Sequence, residues 1–314
     1  MKNMKKTVLI VCLVIMVLLN IVLVVTLISY HQSKAPKDIV SSEESTIEEK
    51  GSENREKKRK NKSNDDAELE DQIIKDTIER SIQSASGSWD IWVEDLDSNT
   101  YSHILKESDG TGMISASLIK LFIMGAAYDE IAGKRLIGSS VKQDIWNMIT
   151  VSDNDAANRL IRAIGGGDET NGMKIINEFA QDIGCTETKL NRVMLAENGL
   201  ENYTSAEDCA RILRLIYKGK CVNSQFSEEM MDCLKGQMVN DRIPSGIPSS
   251  ITVAHKTGNL TNLSNGDVGI VFLKDKAYIL CVINNHSTND TQTNAEIIRI
   301  SEQVYNYYQA GNGT

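Results

Sequence analysis

The chain opens with a stretch that is apolar without interruption. Residues 7–30 (TVLIVCLVIMVLLNIVLVVTLISY) carry no charged side chain. A helix of this length, at about 1.5 Å per residue, crosses the roughly 30 Å hydrocarbon core of a bilayer. Because Lys2, Lys5 and Lys6 precede it, the positive-inside rule places residues 1–6 in the cytoplasm and the rest of the chain outside. We predict a single-pass signal anchor at 7–30.

The next forty residues reverse this pattern. Residues 31–70 are polar and charged and have almost nothing to bury, which predicts a disordered tether. The chain after the apolar run offers no convincing small-x-small cleavage site, so an anchor is favoured over a cleaved signal peptide. We therefore expect a protein of the cell membrane, whose folded domain at 71–314 is extracytoplasmic.

Alternation of apolar and polar positions marks strands at both ends of that domain. SWDIWVEDL and TYSHIL predict a β-hairpin at 88–105, and SITVAHKTG, GDVGIVFLKD and KAYILCVINN predict three more strands. Apolar spacings of three to four predict a helical lobe at about 115–245, and NAEIIRISEQVYNYY predicts a closing amphipathic helix. Short turns between strands favour an α+β fold with one five-stranded antiparallel sheet, flanked by the terminal helix and the inserted lobe.

Composition narrows the class of function. The net charge is −9 and the domain shows no basic stripe with interleaved aromatics, which argues against a nucleic-acid partner. Of six cysteines, Cys12 lies in the predicted anchor and the other five match no zinc spacing. We expect buried free thiols, with one disulfide as the alternative, and neither a metal nor a cofactor. We also expect a monomer.

Three short polar motifs carry candidate chemistry. Ser117-x-x-Lys120 opens an apolar helix, residues 152–154 (SDN) lie between two helical segments, and residues 256–258 (KTG) end a strand. Singly, each has a structural explanation: a snorkelling lysine, a helix cap and an edge strand. Residues three apart are neighbours on a helix, so Lys120 can reach the Ser117 hydroxyl, and apolar surroundings lower a lysine pKa.

Together and in this order, the three motifs are the set found in penicillin-recognising serine enzymes. Residues 75–310, which also include SDNDAANRLI, DRIPSGIP and VAHKTG, resemble the class A β-lactamase family and its relatives among the penicillin-binding D,D-peptidases. The resemblance implies the β-lactamase/transpeptidase-like fold and an acyl-enzyme formed on Ser117. It also implies Lys120 as the base and Ser152 as the group that passes a proton to the departing nitrogen.

The same resemblance implies the substrate-binding residues. Asn154 would hold the side-chain amide of the substrate. Lys256 would attract the substrate carboxylate and favour a neutral Lys120 by repulsion, and Thr257 would hydrogen-bond that carboxylate.

The resemblance further implies an oxyanion hole. The backbone N–H groups of Ser117 and Asn259 would form it, and the small Gly258 would let substrate lie along the strand. His255 and Asp153 are expected to be structural, because strand alternation directs His255 away from the face that carries the lysine of the motif.

One part of the family pattern is ambiguous in this sequence. Class A enzymes use a glutamate in a Glu-x-x-Leu-Asn phrase to position the water that removes the acyl group. Glu187 satisfies the phrase in letters. A second register, in which QDIGCTETKLNR joins helix to loop, places Met194 at the glutamate position, and we favour it. Glu197 is then a weak candidate substitute.

Three functions remain open at this point. A membrane-anchored β-lactamase is favoured. The alternative is a D,D-peptidase that acts on D-Ala-D-Ala-type cell-wall peptides and deacylates slowly after reaction with β-lactams. A minor alternative is a non-catalytic β-lactam sensor, for which the six residues before the predicted span leave no cytoplasmic output domain.

Overall fold

The computed structural model describes residues 71–108 and 112–310. The predicted cytoplasmic segment, anchor and tether, at 1–70, lie outside the described residues. Across 71–108 and 112–310, no helix combines the length and the apolar character that crossing a membrane requires.

The main sheet has five antiparallel strands in the order β2-β1-β7-β6-β5. Its strands are β1 (Ser88–Asp95), β2 (Tyr101–Lys106), β5 (Thr252–Leu260), β6 (Ser264–Phe272) and β7 (Ala277–Asn285). A small second sheet pairs β3 (Met113–Ile114) with β4 (Tyr203–Thr204). The predicted α+β class and five-stranded antiparallel sheet are confirmed.

Helices cover both faces of this sheet. Those described are α1 (71–82), α2 (Lys120–Ala132), α3 (Gly138–Thr150), α4 (Asn154–Ile164), α5 (Glu169–Asp182), α6 (Ala206–Tyr217), α7 (Ser224–Lys235) and α8 (Asp290–Gln309). The sequence patterns did not predict α1. Its apolar face consists of Ile74, Ile78 and Ile82, which lie among charged residues, so the helical period is carried by three positions only.

Two apolar layers sandwich the sheet, and β7 contributes to both. Ile279, Cys281 and Ile283 belong to the layer shared with the helical lobe, while Leu280 and Val282 belong to the layer shared with α1 and α8. Burial on both faces explains why this strand reads as a nearly continuous apolar run. Strand β7 lies at the centre of the sheet, and the edge strand β5 carries Lys256 toward the helical lobe.

Candidate active site

The three sequence motifs converge on the hydroxyl of Ser152. Lys120 Nζ donates to Ser152 Oγ at 3.2 Å, and Lys256 Nζ donates to the same oxygen at 3.0 Å. Lys120 Nζ also donates to the backbone oxygen of Ser152 and to Asn154 Oδ1, both at 2.7 Å. Residues from α2, the start of α4 and strand β5 therefore form one hydrogen-bonded cluster.

Ser117 lies in a tight turn that leads into α2. Residues Ala116–Ile119 form a 3-10 helix, and the α-helix begins only at Lys120. Ala116 has a φ of 45°, a left-handed backbone that residues with a Cβ rarely adopt. Such strain is common beside reactive groups, where the surrounding structure over-determines it.

Gly258 allows strand β5 to approach this turn. A Cβ at position 258 would lie 2.9 Å from Leu118 Cγ and 3.1 Å from the backbone oxygen of Ser115. The closeness of strand and turn explains the glycine of the motif without reference to substrate.

Lys120 is fully buried in α2, and its charge is correspondingly disfavoured. Burial lowers its pKa to about 8, although the carboxylate of Asp153 opposes the shift. An ammonium group has three donors, and the three contacts to Ser152 and Asn154 use them.

The predicted contact between Lys120 and the Ser117 hydroxyl is not among these bonds, and that hydroxyl bonds no described residue. The Lys120 side chain instead extends to the segment that contains Ser152 and Asn154, whose three oxygens take its donors. Loss of one proton from Lys120 would create the lone pair needed to accept from Ser117.

Lys256 shares this electrostatic environment. Burial, followed by the charges of Lys120 and Arg242, lowers its pKa well below the ordinary value, against the effect of Asp267. Two ammonium groups on one hydroxyl repel each other, so the doubly charged cluster is unfavourable. Mutual repulsion therefore favours a cluster in which one of the two lysines is neutral.

Other members of the motifs have structural contacts. The His255 ring contacts Asp267 Oδ1 at 2.9 Å and Asn240 Oδ1 at 3.0 Å. Asp153 caps α4 by accepting from the Ala156 N–H at 3.0 Å. Both residues thus make the structural contacts expected of them.

A cavity of about 170 Å³ opens beside Ser117. Its lining consists of Ala116, Ser117, Asn154, Arg192, Met194, Leu195, Ala196, Glu201, Asn202, Asn259 and Leu260. Ser117, Asn154 and Asn259 are predicted site residues that line it. Lys120, Ser152 and Thr257 are not among the lining residues, and Lys120 contacts the cavity through its bond to Asn154.

Sequence reasoning missed the ion pair that closes the loop beside the cavity. Arg192 Nη2 donates to both carboxylate oxygens of Glu201, at 2.8 and 2.7 Å, and Arg192 Nη1 donates to the Ala196 backbone oxygen at 3.0 Å. Asn202 Oδ1 accepts from the backbone N–H of Arg192 at 3.0 Å. The only sequence signal was a pair of opposite charges that flank a short glycine-containing segment.

This loop presents Met194 to the cavity. The Asn158 side chain holds it by accepting from the Met194 N–H at 2.8 Å and donating to the Met194 oxygen at 3.1 Å. Glu187 lies outside the cavity lining, where its Oε2 accepts from the Gly112 N–H at 2.9 Å. Glu197 is exposed and outside the lining as well. Of these three candidate positions, only Met194 lines the cavity.

Within 71–108 and 112–310, no group of three or more His, Cys, Asp or Glu residues is arranged to hold a metal ion. As expected, the five cysteines of the domain are buried free thiols.

Comparisons with known proteins agree with the motifs. A curated β-lactamase of Proteus vulgaris is 26% identical over 184 residues, which are 57% of this chain and 67% of that protein. β-Lactamase FAR-1 of Nocardia farcinica is 27% identical over 48% of this chain and 49% of its own length. The chain thus spans from about half to about two thirds of the length of these relatives.

Solved structures show the same fold. The structure of PBP-A superposes with a TM-score of 0.67 at 21% identity, over 76% of this chain and 96% of PBP-A. A point mutant of PBP-A, also with a TM-score of 0.67, is an acyl-enzyme complex with penicillin G.

The family model described as the β-lactamase enzyme family matches residues 133–308, which is more than half of the chain. That match includes two of the three motifs, and the fold places the first motif against them. By this match the resemblance seen in the sequence is confirmed, and the chain belongs to the β-lactamase enzyme family.

Proposed function

We propose that this chain is a membrane-anchored, extracytoplasmic serine hydrolase that opens the β-lactam ring through an acyl-enzyme on Ser117. The observation that carries the proposal is the Ser152 hydroxyl held between Lys120 and Lys256, with Lys120 bonded to Asn154, which lines the same cavity as Ser117. Anchoring rests on the apolar run at 7–30.

Acylation follows from the protonation states of the cluster. Neutral Lys120 accepts the Ser117 proton, and Ser117 Oγ forms a bond to the lactam carbonyl carbon. The backbone N–H groups of Ser117 and Asn259 stabilise the oxyanion. As the C–N bond breaks, Ser152 donates its proton to the nitrogen and recovers one from a neighbouring lysine.

Deacylation separates two candidate functions. A β-lactamase must activate water against the acyl ester, and Met194 has no group that accepts a proton. The second candidate, a penicillin-binding D,D-peptidase with slow deacylation of β-lactams, is favoured by this observation. Similarity to PBP-A supports it as well, since a PBP-A mutant forms an acyl-enzyme with penicillin G.

Intact-mass spectrometry of residues 70–314 mixed with benzylpenicillin tests both candidates. We expect a Ser117-dependent adduct whose mass equals enzyme plus penicillin. An adduct that disappears as penicillin is consumed supports the β-lactamase. One that lasts for hours supports the D,D-peptidase if a D-Ala-D-Ala peptide is cleaved, and the sensor if it is not.

Ser117→Ala is the decisive control, with Ser139→Ala as its match because Ser139 shows the same spacing to a lysine outside the site. An adduct that persists in Ser117→Ala would show that the nucleophile is assigned incorrectly.

A further inference from the structure

Two lysines share the Ser152 hydroxyl, and the proposed reaction needs them in different charge states. Lys120 must be neutral to accept a proton, whereas Lys256 must be charged to attract the substrate carboxylate. Both side chains are fully buried, so burial alone disfavours both charges and does not distinguish the two lysines. A carboxylate held closer to one of them would determine which lysine keeps its proton.

A buried carboxylate lies on the strand next to Lys256. Asp267 on β6 is directly opposite the residue that follows Lys256, and its side chain is fully buried. Its charge opposes the lowering of the Lys256 pKa that burial and the charge of Lys120 cause. Asp153 has the corresponding effect on Lys120, but it is partly exposed, so solvent screens its charge more strongly. The better-shielded carboxylate is therefore the one that acts on Lys256.

His255 holds this carboxylate in place. Its Nδ1 lies 2.9 Å from Asp267 Oδ1, and Asp267 Oδ2 accepts from the Ile243 N–H at 3.0 Å. Each carboxylate oxygen thus has a donor within reach, which stabilises the ionised form away from water. The His255 side chain is only 1% exposed, so solvent does not compete for this bond.

The net charge of this pair depends on the second nitrogen of the ring. His255 Nε2 lies 3.0 Å from the amide oxygen of Asn240. An imidazolium would donate to both Asp267 and Asn240, and the pair would have no net charge. A neutral ring with its proton on Nδ1 would accept at Nε2 from the Asn240 NH₂ group once that amide is turned over, and the pair would keep one negative charge.

Neighbouring cations favour the neutral ring. Arg242 is buried two positions after Asn240, and its Nη1 donates to Asp241 at 2.8 Å, a carboxylate that is largely exposed. Lys256 directly follows His255 in the chain. A third buried cation on the His255 ring would be repelled by both of these groups and would have to be desolvated as well.

We propose that His255 is a positioning residue that, as a neutral ring, donates to Asp267 and so keeps a net negative charge beside Lys256. This charge assigns the proton of the lysine pair to Lys256 and leaves Lys120 as the base. His255 does not line the Ser117 cavity, so it acts through Asp267 and not by touching substrate. The inference rests on the proposed function, because it concerns the lysines of the same site.

The first measurement needs no variant kinetics. Two-bond ¹H–¹⁵N correlation spectra of residues 70–314 at pH 7 distinguish the two neutral tautomers of a histidine from the imidazolium. The signals of His255 are identified by their loss in His255→Asn. We expect one protonated and one unprotonated ring nitrogen, with the proton on Nδ1.

The second measurement reports the charge of Lys256. Benzylpenicillin and its methyl ester share the ring and the acyl group, so the ratio of their acylation rates at pH 8 reflects recognition of the carboxylate. We expect the acid to react faster by about tenfold or more, the usual size of a hydrogen bond to a charged group. Asp267→Asn removes the negative charge, and His255→Leu removes a donor that keeps Asp267 ionised, so each should abolish most of this preference.

Two variants separate this role from a merely structural one. His255→Asn keeps a donor near the position of Nδ1 and should retain the acid preference that His255→Leu loses. Ser301→Ala removes the bond of 2.8 Å from Ser301 Oγ to the Ile243 backbone oxygen, on the same segment that Asp267 holds, without changing any charge. It should lower the melting temperature and leave the acid preference unchanged.

The results are read together. A neutral His255 ring, with the acid preference lost in Asp267→Asn and His255→Leu but kept in His255→Asn and Ser301→Ala, supports the inference. An imidazolium at pH 7, an unchanged preference in Asp267→Asn or His255→Leu, or an equal loss in Ser301→Ala overturns it, while the proposed function stands as long as Ser117 is acylated. Failure of the unchanged chain to form any penicillin adduct overturns both.

Discussion

Acylation of Ser117 should depend on pH through the protonation of Lys120. The lysine must be neutral to accept the serine proton, and burial lowers its pKa to about 8. The neutral form is the deprotonated one, so the acylation rate rises as pH rises and levels off above the pKa.

The size of the change in acylation rate follows from the lowered pKa of Lys120. A base with a pKa near 8 is about 1% neutral at pH 6 and about half neutral at pH 8, so the rate rises about fiftyfold over that interval. A lysine with an ordinary pKa near 10.4 would continue to gain rate beyond pH 9.

The assay is the second-order rate of adduct formation between pH 5.5 and 9.5, followed by rapid quench and intact-mass spectrometry. Asp153→Asn is the diagnostic variant, because the Asp153 carboxylate raises the Lys120 pKa. Asparagine is also a good helix cap and can keep the bond to the Ala156 N–H. The midpoint should therefore move to lower pH without loss of the α4 cap.

A flat profile from pH 6 to 9, or a rise that continues past pH 9.5, would refute the role of Lys120 as the base. A midpoint that moves upward in Asp153→Asn would show that another group is titrating. Lys256 and Lys120 bond the same Ser152 Oγ, so the pH profile reports the titration of the two lysines together. The shift of the midpoint in Asp153→Asn is what assigns the titration to Lys120.

Three other expectations concern deacylation, thiols and stability. Met194→Glu places a carboxylate on the cavity wall and should shorten the adduct lifetime by about a hundredfold, the usual scale for a positioned general base; time-resolved mass spectra measure it. Glu187→Gln should leave that lifetime unchanged, and a longer lifetime would favour the other register. The five thiols of the native domain should react slowly with a disulfide reagent and fully after denaturation, because they are buried; a fast native reaction contradicts this. Glu94→Ala should lower the free energy of unfolding in urea by about 3 kcal/mol, since it leaves the Arg214 guanidinium without its buried partner. Glu79→Ala, at an exposed position, should change it by less than about 0.5 kcal/mol.

Much of the fold could be predicted because the strand segments have sequence patterns that few other structures fit. An alternating or wholly apolar run bounded by turn residues suits a strand, and the order of runs restricts the topology. Helix α1 was not predicted because its helical period is shown only by Ile74, Ile78 and Ile82, which lie among charged residues. A helix of this kind is identified by the surface it covers, which the sequence alone does not display.

The site could be predicted in its residues but not in its contacts. The motifs identified Ser117, Lys120 and Ser152, and local spacing suggested that Lys120 bonds Ser117. The tertiary fold instead brings Ser152 and Asn154 to Lys120, from more than thirty positions along the chain. The pairing of Arg192 with Glu201 is equally non-local, since the path of the intervening loop decides whether the two charges meet.

The register of the sheet also constrains how the domain can form. Ser88 at the start of β1 lies opposite Asn285 at the end of β7. The first strand of the sheet in chain order therefore pairs with the last. The hairpin made early in synthesis must keep an open edge until almost the whole domain has been made, and pairings of this span fold slowly. Lys256 belongs to β5, which is made late in synthesis, whereas Ser117 and Lys120 follow the early β1–β2 hairpin in the chain. A chain that stops short of β7 therefore lacks the strand that joins β1 to β6, and it exposes an edge strand that favours aggregation.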